Sequence, residues 1–277
     1  MSFDYEQFKE VRAEKKGGVL TIMLNKPEAS NSLSWKVIDD LKRIWTMLRD
    51  DSEVRAVVLA GEGEHFSTVP AGYQIHPVLK EPVHPLHHLE LAGPDIHGGG
   101  AYHMSALKCL LEVPQPVVVA IQGKCTGLAT TLALYCDIII AADDLQLSDP
   151  HIHRAMVPGD GGTIIWPMMV GHARAKEYLL TGDSLTAAEA ERIGLLNRVV
   201  PRAELHSAAQ AMAERLANGP TMAIRFTKHA INRSIMQQLE HSWEFADALQ
   251  ILTTFTDDFK EAKLASKEKR PPRFTGR

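Results

Sequence analysis

His151 and Asp160 stand nine residues apart, on either side of the pair Pro158-Gly159, in the stretch Ser148-Asp149-Pro150-His151-Ile152-His153-Arg154-Ala155-Met156-Val157-Pro158-Gly159-Asp160-Gly161-Gly162. An imidazole titrates near pH 6.5 unless shifted, so a neutral His151 can take a proton from water, and a neighbouring carboxylate can orient the ring or deliver a proton. The pair is suited to acid–base chemistry, with His151 as general base and Asp160 as its acid or orienting partner. Other groups compete for those roles. His153 offers a second imidazole, Asp149 is a weaker acid candidate, and Asp160 is equally placed to cap a helix starting near Gly162. Glu240 and Glu244 fall on a late helical repeat, where a solvated face is their ordinary place.

Metal chemistry finds little support. Cys109, Cys125 and Cys136 share no ligand spacing and lie in apolar sequence, which reads as buried free thiols in a reducing compartment. His84-Pro85-Leu86-His87-His88 has no Cys, Asp or Glu at a closing distance, and Pro85 prevents the regular helix that would align His84 with His88. The irregular run 68–103 that contains these histidines reads as a covering loop over a substrate.

The elements that must position these groups alternate between apolar runs and helical repeats. Strands are expected at 19–24, 56–60, 117–121 and 138–141, and helices over 34–48, 103–111 and 127–135, with Ser34 as an N-cap. Such alternation predicts α/β layering with buried parallel strands. No Gly-x-Gly-x-x-Gly turn follows the first strand, which argues against a dinucleotide fold. Beyond Val199-Val200-Pro201 three helical patterns follow, at about 203–217, 220–233 and 236–260, and the closing Pro271-Pro272 segment is not helical. The chain of 277 residues has a net charge of −4 and 45% hydrophobic residues, so neither nucleic acid nor an anionic membrane is an expected partner. Acids near the N-terminus, and no apolar run of bilayer length, lead to an expected cytoplasmic location.

Several segments, in order, resemble the crotonase (enoyl-CoA hydratase/isomerase) superfamily. These are Asn25-Lys26-Pro27-Glu28-Ala29-Ser30-Asn31-Ser32-Leu33, Val58 to Ser67, Pro114 to Gly123, Leu180-Thr181-Gly182, Gly194 to Pro201, and Phe255 to Ala262. The resemblance implies a spiral of ββα units over 1–200 and a helical trimerisation region over 201–277. It also implies an acyl-CoA substrate and no permanently bound cofactor, coenzyme A entering as part of the substrate. Self-association as a trimer or dimer of trimers goes with it.

In that family two backbone N–H groups hold a thioester carbonyl and stabilise the enolate formed in the reaction. The match assigns the second donor to Leu128, after Gly127. The first is Tyr73, with Val69 as the alternative; an ungapped alignment instead reaches Pro70, which has no N–H to give. Lys26, Ser32 and Trp35 would contact substrate or CoA. Thr131 and His151 fall where hydratases carry their two glutamates. Pro150-His151 with Val157-Pro158-Gly159-Asp160-Gly161 is in turn similar to the β-diketone hydrolase branch, typified by oxocamphor hydrolase, which cleaves a C–C bond by a retro-Claisen route. Three readings follow: hydrolytic cleavage of a β-oxo acyl compound, enoyl-CoA hydration or isomerisation, and a catalytically silent binding protein.

Overall fold

The computed structural model describes residues 3–68 and 99–277. The histidine-rich loop, Tyr73, Pro70 and Val69 lie outside the described residues. Among those described, the strands are β1 (Val11–Lys16), β2 (Val19–Leu24), β3 (Ala56–Gly61), β4 (Val117–Ile121), β5 (Lys124–Thr126), β6 (Ile138–Ala142), β7 (Gln146–Ser148), β8 (Leu185–Thr186) and β9 (Arg198–Val200). The helices are α1 (Trp35–Asp50), α2 (Gly99–Glu112), α3 (Leu128–Leu134), α4 (Gly162–Thr181), α5 (Ala187–Arg192), α6 (Leu205–Ala217), α7 (Thr221–Thr253) and α8 (Asp257–Glu268).

Six strands form one sheet in the order β1-β2-β3-β4-β6-β9, and β5-β7-β8 form a second. Only the β1–β2 hairpin is antiparallel in the larger sheet. Its turn is Gly17-Gly18, both at positive φ (58° and 82°), where a side chain would be strained. Every residue of β3 and β4 is buried, because helices cover both faces. One face meets the large core that contains Trp45, Leu41 and Leu107. The other meets α6, which presents Leu205, Ala209, Ala213 and Ala217 to Ala56, Val58, Ala60, Val118 and Ile140. Small residues every fourth position let that helix lie close to the strands.

Beyond residue 200, α6 packs on the sheet, and α7 and α8 follow it. Two expectations change. The pattern at 220–233 and the part of the pattern at 236–260 up to Thr253 form one helix, since α7 runs unbroken over 33 residues, and residues 257–260 belong to α8. Cys109 is only half-buried, whereas Cys125 and Cys136 are buried, and all three are free. Ser34 does cap α1, its Oγ accepting from Val37 N–H at 3.4 Å.

A short ladder links the two sheets at the base of the site. Ser67 N–H donates to Lys124 O (3.3 Å), Thr126 N–H to Ser67 O (3.1 Å), and Thr68 N–H to Ser30 O (3.1 Å). Thr126 Oγ1 donates to Thr68 Oγ1 at 3.0 Å. No helix among the described residues is long and apolar enough to cross a membrane.

Candidate active site

Three segments converge on His151. Strand β7 delivers Asp149 and the 3-10 turn Pro150–Arg154, α3 brings Thr131, and the run into α4 brings Asp160. Asp149 caps the turn. Its Oδ1 accepts from His151 N–H at 3.3 Å and lies 2.5 Å from His151 Nδ1. On the other side of the ring, Nε2 is 3.7 Å from Asp160 Oδ2. Asp160 Oδ1 accepts from Thr131 Oγ1 (3.1 Å) and from Gly162 N–H (3.3 Å). His151 keeps 14% of its side chain exposed, against 0% for Asp149 and 3% for Asp160, so the imidazole is the member that reaches open space.

Two carboxylates are tolerated here because the backbone supplies positive potential. Gly161, at φ 104°, caps α4 and Gly162 is its first residue, so both acids lie at a helix N-terminus. Gly162 also makes room: a Cβ there would lie 2.7 Å from Asp149 Oδ2 and 3.4 Å from Asp160 Oδ1.

Burial by itself would lower the imidazole pKa. The carboxylates of Asp149 and then Asp160 outweigh it and push His151 up to about 9, with Arg154 opposing them. Asp160 is raised as well, first by burial and further by the charge of Asp149, while His151, Gly162 N–H and Thr131 pull the other way. Those carboxylates favour an imidazolium near neutral pH, against the neutral His151 that the sequence alone suggests. The three side chains could be mistaken for a metal cage, since their ligand atoms lie within 4.8 Å of one another. Asp149 Oδ1 already holds Nδ1 at 2.5 Å, and the closeness of the three groups brings the two carboxylates near each other beside one ring.

The other expected site residues divide. Gly127, at φ 61° and ψ −127°, turns the chain into α3, and its N–H is held by Ser148 O at 3.0 Å. Leu128 opens α3, so its N–H is one of the donors that helix geometry leaves without an intrahelical acceptor. Thr131 is fully buried and its hydroxyl is engaged with Asp160. Lys26 Nζ pairs with Glu10. Its N–H bonds Asn31 Oδ1 at 2.8 Å, and Asn31 Nδ2 in turn holds Glu62 O and His65 O. Ser32 closes the same turn on Ala29 O at 3.1 Å. Trp35 begins α1 and is 39% exposed; the core tryptophan of that helix is Trp45. Glu240 and Glu244 are exposed, on the solvated face expected of them. His153 turns away from His151, its Nε2 2.9 Å from Thr181 O.

Asp149 is the partner that sequence reasoning ranked too low. The signal was an Asp directly before Pro-His, a spacing at which an Asx side chain caps the following turn. Tyr135, whose hydroxyl donates to Gly161 O at 3.3 Å, carried no signal at all.

A family model described as enoyl-CoA hydratase/isomerase matches residues 14–277. The chain belongs to that family. A probable mitochondrial enoyl-CoA hydratase of Dictyostelium discoideum is 31% identical to this enoyl-CoA hydratase/isomerase family member, over 97% of the chain and 91% of the relative. A short-chain-enoyl-CoA hydratase of Clostridium acetobutylicum is also 31% identical, over 93% and 94%. The crystal structure of an enoyl-CoA hydratase from Mycobacterium avium subsp. paratuberculosis superposes with a TM-score of 0.82 at 25% identity, covering 96% of this chain and 99% of that one. The chain is thus an enzyme of the enoyl-CoA hydratase/isomerase family with the α/β crotonase fold, and acyl-CoA thioesters are the substrates of that family.

Proposed function

We propose that this enzyme moves protons at the α-carbon of an enoyl-CoA, as hydration or isomerisation of the double bond, with His151 and Asp160 doing the work that two glutamates do in hydratases although only His151 stands in a glutamate's place. The observation that carries this reading is the contact of His151 Nε2 with Asp160 Oδ2, 3.7 Å, next to Thr131 of α3. The thioester oxygen would accept from Leu128 N–H, with Tyr73 or Val69 as the second donor, and the helix end would favour the negative charge of an enolate. In hydration, Asp160 takes a proton from water as the hydroxyl adds to Cβ. The His151 imidazolium then gives its Nε2 proton to Cα, and Asp160 returns a proton to the ring. One water is consumed and both residues are restored. The raised proton affinity of Asp160 suits it to the accepting step. His151, first read as the base, becomes the acid because it rests charged. Lys26, Ser32 and Trp35 are proposed to border the CoA moiety.

Hydratases among the relatives favour this reaction over C–C cleavage. One observation keeps the retro-Claisen reading as a second: a hydroxyl, Thr131, and no glutamate stands behind the pair, leaving His151 and Asp160 as a His–Asp unit suited to activating water toward a ketone. With crotonyl-CoA the conjugated-enoyl absorbance is expected to fall. An unchanged absorbance, together with a new carboxylate from a β-oxo acyl-CoA, would establish cleavage instead. If calorimetry finds no acyl-CoA binding, the silent binding protein is the reading left.

Self-association as a trimer or dimer of trimers is proposed from the apolar side chains that α7, α8 and the tail leave exposed, Phe226, Phe245, Leu252, Leu264 and Phe274 among them.

A further inference from the structure

We infer that Asp149 is a positioning residue which fixes the tautomer, aim and charge of His151, so that the proton-handling unit has three members and not two. The inference rests on the proposed acid role of His151 and names what sustains it. Asp149 makes the shortest contact in the site, 2.5 Å from Nδ1, and the same oxygen holds the His151 backbone. A ring held at Nδ1 can present only Nε2 to the opening, and Nε2 is the nitrogen that faces Asp160. The carboxylate is fully buried, which rules out a solvated surface acid, and it is closer to the ring than Asp160 is.

Among the described residues, the other charged groups on the elements that meet the turn are engaged elsewhere, and Asp247 of α7, the helix against α4, is pushed up to about 6 by burial. His151 is otherwise opposed by Arg154 on its own turn. The segment 162–170 of α4 packed beside it carries no titratable side chain. On α8, which also meets the turn, Asp257 pairs with Lys260, Glu261 with Arg270, and Asp258 caps Thr275 and Gly276, while Lys263 lies over the Phe259 ring. Tyr135 on the Asp160 side is hydrogen-bonded to Gly161 O and held neutral by burial.

Asp149→Asn keeps the shape and an oxygen for Nδ1–H while removing the charge. Its expected signature is a His151 titration, followed by imidazole nitrogen NMR, that falls by about 1–3 pH units from the native position, the range an adjacent opposite charge commands. The alkaline limb of kcat/KM should fall with it, KM for the acyl-CoA staying within about twofold, and Asp149→Glu should restore part of the limb. A His151 titration unmoved in Asp149→Asn would overturn the inference, even if activity dropped. Because the NMR titration needs no substrate, it stands apart from the reaction: a native enzyme that turns over no enoyl-CoA would sink the proposed function and leave the Asp149 result to be read on its own. Should Asp149→Asn fail to fold, the Asp149→Glu titration decides, with the His151 midpoint lowered but still above 7 and the ring tautomer kept as the expected result, and a neutral ring at pH 7 counting against.

Discussion

An imidazolium held between two buried carboxylates gives up its proton late, and this has a consequence for stability as well as for turnover. The folded pKa of His151, about 9, lies above the unfolded value near 6.5. Its contribution to stability is therefore complete below about pH 6.5 and is lost as pH rises through about 9. The difference in Tm between the native protein and His151→Gln should be largest near pH 6 and shrink toward pH 10; a constant difference across that range would show that charge plays no part. His151 and Asp160 were legible from their spacing across Pro158-Gly159. The dominance of Asp149 was not, because it depends on a 3-10 turn that folds the side chain back onto Nδ1. Nor was the pairing of Lys26 with Glu10, which only the approach of β1 to β2 brings about.

At the scale of elements, the start of α4 is where the site is most sensitive to shape. Gly162→Ala would place a methyl group 2.7 Å from Asp149 Oδ2, an oxygen on a side chain pinned at its other end by His151. The expected cost is about 1–3 kcal/mol of stability, typical of overpacking, together with a larger loss of kcat than of thermal midpoint. Thermal unfolding and steady-state kinetics on the same preparation check it; native kcat with a lowered Tm would separate the two effects and count against a shared cause. The strands that sequence made plain are those buried on both faces, such as Val117–Ile121, where an unbroken apolar run has no other home. β1, with Arg12, Glu14, Lys15 and Lys16 in six residues, is an edge strand whose exposed side hides the pattern. β5 and β7 have three residues each and β8 two, too few for any periodicity to register.

At the scale of the molecule, the exposed apolar side chains on α7 and α8 contrast with an interior that buries Trp45 and Trp166 completely. Phe245, at 72% exposure, and Phe226, at 63%, are the largest of them on α7. Changing both to Glu should lower the sedimentation mass toward that of a single chain without loss of helical signal; an unaltered mass would place the subunit contact elsewhere. The fold class was readable from the alternation of strands and helices, whereas the packing of α6 on the sheet was not, since evenly spaced alanines mark a helix without saying what it covers. The ladder at Ser67, Thr68 and Thr126 has one more implication, for protein engineering. It fastens the chain at Thr68 to the strand that leads into Gly127, so the two backbones share one footing. A foreign insert spliced in directly after Thr68 would start from that fixed point, so it should leave β5 and the turn at Gly127 undisturbed.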